Sequence, residues 1–181
     1  WARPGGLVGI DEDLEAAAER ELREETGVTG VYLEQLYTFG TPGRDPRERV
    51  ISVAYYALVP IDYLQIRADS DADRVAWFDC TDLPDLAFDH PGIIELARRR
   101  LAAKLDYSTI ALHFMPARFT LSELQRVYEI ITGSPLDKRN FRKRILAYGC
   151  IEDTGEKTRN GKHRPARLYT LKAPGTIEFI K

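Results

Sequence analysis

A fixed spacing of charged residues and glycines near the start of this chain constrains its fold more than any other feature. The segment GLVGIDEDLEAAAERELREETGV, residues 6–28, fits the pattern G-x5-E-x7-R-E-U-x-E-E-x-G-U, where U is aliphatic. The residues at the fixed positions are Gly6, Glu12, Arg20, Glu21, Leu22, Glu24, Glu25, Gly27 and Val28. Such a long pattern predicts one helix preceded by a glycine-bearing loop.

We predict that this helix runs from about residue 14 to residue 26. Asp11 or Asp13 is expected to cap its start, because a short carboxylate accepts hydrogen bonds from the free backbone N–H groups. Gly27 is expected to end it, since a left-handed residue is favoured there. The predicted buried stripe, with a spacing of four, consists of Leu14, Ala18 and Leu22.

Three carboxylates share one face of the predicted helix. Glu21, Glu24 and Glu25 have i, i+3, i+4 spacing and repel one another unless a cation lies among them. Mg²⁺ or Mn²⁺ prefers such hard oxygen ligands, and a diphosphate would complete the coordination. Taken alone, E-x-x-E-E indicates a solvated charged face, but the complete spacing with both glycines favours a metal and pyrophosphate site.

The pattern resembles the signature of Nudix hydrolases, which cleave nucleoside diphosphates linked to another moiety. The resemblance implies an α/β/α sandwich and dependence on a divalent metal. By this resemblance Glu21, Glu24 and Glu25 match the metal-binding glutamates, and Gly6 matches the glycine of the motif. Glu24 and Glu25 would then be the catalytic pair if the chain hydrolyses its ligand, whereas Arg20 would orient the loop by ion pairing.

The rest of the acidic half predicts an α/β or α+β sandwich. Strands are predicted over 31–40, 50–59 and 74–79, and a helix over 91–106. We assign residues 1–106 to a Nudix-like nucleotide-sensing domain and expect its first strands to be missing from this chain, which begins at Trp1.

A turn-rich loop with three arginines separates the first two predicted strands. Arg44, Arg47 and Arg49 are candidate anchors for the phosphates of an effector, since a guanidinium fork suits phosphate oxygens. Ordinary loop charge is the alternative for each of them. Tyr55 or Phe88 would be able to stack on adenine, although a core position is favoured for both.

The first and second parts of the chain have net charges of opposite sign. Residues 1–106 have a net charge of −9 and residues 107–181 have +7, within a total of −2. An acidic half followed by a basic half indicates two modules with different partners, and the basic module is a candidate for nucleic-acid binding.

Residues 107–181 predict a winged helix-turn-helix domain. After a strand and a proline break over 107–119, one helix follows Thr120 or Ser122 and ends at Gly133. A second helix lies between Asp137 and Gly149, and two strands then flank a long polar turn. Helix, helix and basic hairpin is the order of that fold.

The second of these helices is the predicted DNA reader. With Phe141, Ile145 and Tyr148 buried, Arg139 and Lys143 point outward, where such side chains can contact base edges in a major groove. Hairpin cations suit phosphate contacts or insertion into a minor groove. The candidate DNA-binding residues are Lys138, Arg139, Asn140, Arg142, Lys143, Lys162, Arg164 and Arg167. A solubilising or protein-binding basic surface is the alternative.

The combination of both modules resembles the Nudix-related transcriptional regulators of NAD metabolism, the NrtR family. The segments LDKRNFRKR and RPARLY carry this resemblance most strongly. It implies a homodimeric repressor of NAD biosynthesis or salvage genes that binds palindromic operator DNA. ADP-ribose or a related NAD-pathway nucleotide would be its effector.

Three functional hypotheses remain at this point. The first is a ligand-responsive repressor, and the second is a Nudix pyrophosphohydrolase that cleaves ADP-ribose with Mg²⁺. The intact motif permits that activity without identifying a general base, and the third hypothesis is a structural adaptor. The sequence contains neither a membrane span nor a signal peptide, which predicts a cytoplasmic protein. Cys80 and Cys150 lack metal-ligand spacing and are expected to be reduced packing residues.

Overall fold

The computed structural model describes residues 1–60, 75–158, 165–173 and 177. The elements, in chain order, are α1 (Leu14–Thr26), β1 (Tyr32–Phe39), β2 (Ser52–Leu58), α2 (His90–Lys104), a 3₁₀ helix (Ile110–Phe114), α3 (Leu121–Thr132), α4 (Lys138–Tyr148), β3 (Ile151–Thr158) and β4 (Ala166–Leu171). The chain divides into two compact units, Trp1–Arg99 and Arg100–Lys181. The predicted domain boundary at residue 106 stays a prediction.

Helix α1 has the predicted bounds. The Asp13 carboxylate, and not that of Asp11, caps it by accepting a hydrogen bond from the backbone N–H of Ala16. Gly27 ends it in the left-handed region, at φ 72°. The predicted buried stripe is wrong at its first position, because Leu14 is 43% exposed while Ala17 is buried. Leu14 is the first residue of the helix, so no preceding turn lies beside it.

Strands β1 and β2 form an antiparallel pair, as their β-branched and aromatic residues predict. The register runs from Tyr32 opposite Leu58 to Phe39 opposite Ser52, with a bulge between Gln35 and Tyr37. Both strands are shorter at their ends than predicted.

Helix α2 covers one face of this sheet. Ile93 of the helix packs with Leu36 and Ala54 in a buried cluster. A helix packed on a sheet agrees with the predicted α/β class.

The third predicted strand, over 74–79, is wrong for the residues that the structure describes. Residues 75–79 form no strand, and Trp77 and Phe78 are exposed. The run RVAWFD is rich in strand-forming residues, but this propensity alone does not produce a strand at residues 75–79. Arg74 lies outside the described residues.

The strand predicted before the proline break in residues 107–119 is also wrong. Residues Ile110–Phe114 form a 3₁₀ helix, and Ile110, Ala111 and Leu112 are all buried. Burial of three consecutive side chains does not fit the alternating faces of an exposed strand pair. A short apolar run is ambiguous between strand and helix when periodicity is the only guide.

The second unit contains the predicted pair of helices. Thr120 and Glu123 form a complete capping box at the start of α3, and Gly133 ends the helix at φ 67°. Asp137 caps α4, and Gly149 ends it. The rings of Tyr128 and Phe141 meet edge to face at 5.1 Å, which joins the two helices in the core.

The wing is a hairpin with one further short pairing. Strands β3 and β4 are antiparallel, and their register shifts between Asp153 and Lys157. Phe119 and Tyr169 exchange both backbone hydrogen bonds, at 3.0 and 2.8 Å, on the other edge of β4. This small sheet beside α3 and α4 completes a winged helix-turn-helix fold. In the described part of the chain, no helix has both the length and the apolar composition that crossing a bilayer requires.

Candidate functional site

The loop before α1 is tied to the helix by one guanidinium group. Arg20 donates to both carboxylate oxygens of Glu12, at 2.6 and 3.0 Å, and to the backbone oxygen of Leu7 at 3.1 Å. It also donates to Glu21 at 2.7 Å and to Glu24 at 3.2 Å. Arg20 therefore links the loop to the acidic face of α1, in agreement with its predicted orienting role.

The same ion pairs hold Glu12 in its ionised form. Hydrogen bonding from Arg20, and then from the backbone N–H of Gly9, lowers the pKa of the Glu12 carboxyl to about 2. A carboxylate with several donors keeps its charge because those donors stabilise only the ionised form. The ion pair between Arg20 and Glu12 therefore holds the loop against α1 at neutral pH.

Two glycines bring the backbone against the carboxylates of α1. The N–H of Gly5 donates to Glu25 at 3.2 Å. A Cβ atom placed on Gly6 would overlap the carboxylate of Glu21, so no larger residue fits there without displacing that side chain. Burial, together with the neighbouring charge of Glu21, raises the pKa of the Glu25 carboxyl, although the Gly5 hydrogen bond opposes this rise. A cation at this place would relieve the repulsion between the two carboxylates.

These residues fit a divalent cation by their chemistry. Glu21 and Glu25 present hard oxygen atoms beside a glycine backbone that leaves space for close approach. Within residues 1–60, 75–158, 165–173 and 177, no three histidine, cysteine or acidic side chains are gathered closely enough to hold a metal ion as they stand. The carboxylates of Glu21 and Glu24 are instead shared with Arg20.

The three loop arginines occupy different environments. The side chain of Arg44 is buried and donates to both oxygens of Asp89, at 2.7 and 2.8 Å, and to Ser52 at 2.7 Å. Arg47 pairs with Asp45 at 2.8 Å, whereas Arg49 is exposed and donates weakly to the carbonyl of Val50. Arg44 therefore already has a carboxylate partner, and the other two guanidinium groups are the more accessible.

Phe88 is not the core residue that the sequence favoured. It is 45% exposed and has a positive φ of 54°, which is uncommon for a bulky side chain. The guanidinium of Arg47 lies 4.9 Å from the centroid of its ring. Tyr55 is half-buried in β2.

Helix α4 presents its charges outward, as predicted. Phe141 and Ile145 are buried, and the side chains of Arg139 and Lys143 point away from them. Lys138, Asn140 and Arg142 are exposed as well. In the described part of the chain no ion pair is recorded for Lys138, Arg139 or Lys143.

The turn before α4 is held by side chains of α3. Gln125 donates to the backbone oxygen of Leu136 at 2.9 Å, and Glu129 accepts from the backbone N–H of Leu136 at 2.9 Å. That backbone hydrogen bond, with one from Gln125, lowers the pKa of the Glu129 carboxyl. The start of α4 is thereby fixed relative to α3.

A groove of about 980 Å³ runs between α3, α4 and the wing. Its cationic walls include Lys138 and Arg142 from α4 and Arg167 from β4. Ser122 and Arg126, from the first turns of α3, also line it, and Ser122 accepts a long hydrogen bond of 3.4 Å from Arg142. The sequence reasoning missed these two residues, although the capped start of α3 was the signal that could have found them.

The wing contributes three of the predicted DNA-binding residues. Lys162 and Arg164 lie outside the described residues. Arg167 is exposed on β4, where it pairs with Asp153 at 2.6 Å.

Comparison with known proteins agrees with both parts of this architecture. Residues 1–98 match the NUDIX domain family, and residues 111–171 match the NrtR DNA-binding winged helix domain. The ADP-ribose pyrophosphatase of Methanocaldococcus jannaschii is 39% identical over 95 residues, which cover 52% of this chain and 55% of that protein. Proteins with this domain generally use divalent metals.

Two further relatives extend over nearly the whole chain. The ADPR responsive transcriptional repressor NtrR of Acinetobacter baylyi is 41% identical over 173 residues, which cover 93% of this chain and 68% of that protein. The crystal structure of Shewanella oneidensis NrtR complexed with a 27mer DNA matches this chain with a TM-score of 0.81 and 41% sequence identity. The match covers 93% of this chain and 78% of the NrtR chain. The chain therefore belongs to the NrtR family, in which a Nudix domain precedes a winged helix-turn-helix domain.

Proposed function

We propose that this protein is a DNA-binding transcriptional repressor of NAD biosynthesis or salvage genes, controlled by ADP-ribose or a related nucleotide at its Nudix domain. The observation that carries the proposal is the exposed cationic face of α4, where Arg139 and Lys143 have no partner within the described chain. Double-stranded DNA is a polyanion that supplies such partners. The proposed site of action is the cytoplasm, where bacterial operators lie.

The faces of α4 divide the proposed DNA contacts into two kinds. Arg139 and Lys143, with Asn140 beside them, project furthest from the buried side and are assigned to base edges in the major groove. Lys138 and Arg142 line the groove toward the wing and are assigned to phosphates. Arg167 continues that phosphate path, and Lys162 and Arg164, which precede β4 in the sequence, are further proposed DNA contacts.

The Nudix half is assigned to the nucleotide. Glu21, Glu24 and Glu25 are the proposed ligands of Mg²⁺ or Mn²⁺, with the backbone of Gly6 beside them. When bound, the metal supplies positive charge that holds and polarises a diphosphate. Arg47 and Arg49 are the more accessible proposed anchors for effector phosphates, and Arg44 would have to share its guanidinium with Asp89.

Regulation requires the effector to bind two arrangements of the protein with different affinities. We propose a homodimer, because a two-fold axis presents two α4 helices to the halves of a palindromic operator. By linkage, an effector that weakens operator binding is itself bound more weakly by the operator complex.

A gel-shift titration tests this function. Labelled DNA from upstream of NAD-pathway genes would be titrated with protein at fixed salt, with and without ADP-ribose and Mg²⁺. We expect a sequence-specific shift whose midpoint moves when ADP-ribose is present. Absence of a specific shift at physiological salt would rule out the repressor, and a shift indifferent to every NAD-derived phosphate compound would rule out the control.

A second candidate function is ADP-ribose pyrophosphohydrolase activity. The complete motif favours it, because every residue that the resemblance to Nudix hydrolases requires is present and the Gly6 backbone lies against the carboxylate of Glu21. The assay is metal-dependent release of AMP from ADP-ribose by the unaltered protein. Loss of that release in both Glu24→Gln and Glu25→Gln would support catalysis, and no release from the unaltered protein would exclude it.

A further inference from the structure

The wing carries an ion pair that involves a proposed DNA contact. Arg167 of β4 donates through Nη1 to Oδ2 of Asp153 in β3 at 2.6 Å. Asp153 and Arg167 are not directly opposite each other, because the register shifts between Asp153 and Lys157 and places Lys157 opposite Arg167. The bulge in β3 thus brings a carboxylate to an arginine of the groove.

Asp153 is itself fixed by the bulge. Its Oδ1 accepts a hydrogen bond from the backbone N–H of Gly155 at 2.9 Å, and Gly155 has a φ of +77°, which favours glycine. Thr154 holds the same turn by donating to the carbonyl of Leu168 and accepting from the N–H of Glu156. One carboxylate oxygen is therefore anchored, and the other is directed at Arg167.

Arg167 remains able to contact DNA while it is paired. Asp153 engages Nη1, and a guanidinium group has five N–H donors in a planar fork. Arg167 lines the groove together with Lys138 and Arg142, although its side chain is 65% exposed. Without a partner, such a long exposed side chain would sample many rotamers and lose them on binding.

The carboxylate has a second effect, of opposite sign. A negative charge beside a phosphate path weakens binding to any DNA, whatever its sequence. Orientation of Arg167, by contrast, helps most when the base contacts of α4 have fixed the register on an operator, because the backbone phosphate then lies where the paired guanidinium points. Asp153 therefore lowers the affinity for all DNA but raises the affinity for correctly placed DNA, so the ratio of operator to non-operator affinity increases.

We propose that Asp153 is a specificity-determining positioning residue, which orients Arg167 and thereby raises the preference for operator over other DNA. The inference rests on the proposed function, namely that α4 and the wing bind an operator. Asp153 acts through Arg167 and has no required contact of its own with DNA.

The first test compares two substitutions that remove one negative charge from neighbouring residues of β3. In Asp153→Asn we expect binding to a scrambled duplex to tighten by about two- to fivefold, while the ratio of operator to scrambled affinity falls. Glu152→Gln is the matched control, because Glu152 is exposed and has no ion pair recorded in the described chain. It should tighten binding to both duplexes equally and leave the ratio unchanged.

The second test asks whether Asp153 acts through Arg167. In an Arg167→Ala background, Asp153→Asn should no longer change the ratio, because the oriented group is gone. A ratio that still falls would show that Asp153 acts through the fold of the wing, and would overturn the proposal. Circular dichroism and melting curves of each variant establish that the wing variants are folded before affinities are compared.

The outcomes separate this inference from the function on which it rests. If the unaltered protein does not prefer its operator, the proposed function fails. If it does prefer the operator, and Asp153→Asn behaves like Glu152→Gln, the function stands and the positioning role is wrong.

Discussion

Among the helices that the structure describes, the two with the highest proportion of charged residues, α1 and α4, place their charged side chains in different surroundings. In α1, the guanidinium of Arg20 lies among the carboxylates of Glu12, Glu21 and Glu24 at 2.6 to 3.2 Å. In α4, Arg139 and Lys143 are exposed, and the described part of the chain records no carboxylate partner for either. The first helix uses its charge to organise its own loop, whereas the second leaves its charge for another molecule.

This difference shows how charge density alone can mislead. Both segments are dense in charged residues, so charge density does not distinguish them, although α1 carries both signs of charge and α4 only positive ones. What separates them is whether partners of opposite charge occur at i±4 or in the adjoining loop, as Glu24 and Glu12 do for Arg20. Helix α4 contains no acidic residue, so its cations cannot be neutralised within the helix.

The largest effect is expected from removing the outward cations of α4. Replacing both Arg139 and Lys143 by alanine should weaken operator binding by about a hundredfold or more, since each base-edge contact contributes roughly 1–3 kcal/mol. Gel shifts or fluorescence anisotropy would measure the dissociation constant. The matched control is the double substitution Arg98→Ala and Arg99→Ala in α2, which removes the same charge. Operator binding that survives the α4 substitution would mean that the DNA-reading helix is misassigned.

The acidic side of the comparison is tested by metal binding. Mg²⁺ should raise the melting temperature of the unaltered protein, and Glu21→Gln or Glu25→Gln should abolish that rise. At a hundred times its dissociation constant, a ligand stabilises the folded state by about 2.7 kcal/mol. Glu19→Gln is the control, because Glu19 is an exposed residue of the same helix. If the melting temperature of the Glu25 variant still rose with Mg²⁺, the metal would have to bind elsewhere.

The closed network of Arg20 predicts a pH dependence. The pKa of Glu12 is lowered from 4.5 to about 2, so its contribution to stability is present above pH 4.5 and is lost as the pH falls toward 2. NMR titration of the Glu12 carboxyl carbon would report this value directly. In Arg20→Ala the pKa should return toward its ordinary value, and proteolysis of the loop at residues 7–11 should become faster. An unchanged Glu12 titration in that variant would show that Arg20 does not hold the loop.

A smaller effect is expected on the flank of α4 that faces the groove. Arg142→Ala should weaken binding to operator and scrambled DNA by a similar factor, because a phosphate contact carries no sequence information. The slope of log affinity against log salt should decrease by about one. A selective loss of operator binding would instead place Arg142 at base edges, and the proposed division of the helix faces would need revision.

Local rules predicted the helices well. Helix α1 begins after Asp13 and ends at Gly27, and α3 begins after Thr120 and ends at Gly133. All four residues act through backbone groups of their own turn. Such signals need no knowledge of the rest of the fold. The faces of α4 followed equally directly, because a helix with two buried residues one turn apart fixes which side chains are exposed.

Features that depend on distant contacts were not predictable in the same way. The 3₁₀ helix at Ile110–Phe114 buries three consecutive apolar residues, a pattern that alternation cannot express. The pairing of Arg44 with Asp89 joins residues 45 positions apart, and that of Asp153 with Arg167 depends on a bulge. Charge and spacing identified Arg44 and Arg167 as functional candidates without revealing that each already had a carboxylate partner.

The clamp on Leu136 by Gln125 and Glu129 has a consequence for signalling. Because both backbone polar groups of Leu136 are bonded to α3, the turn holds α3 and α4 in one relative arrangement. An effector that alters DNA affinity would then have to move α3 and α4 together, without changing the angle between them.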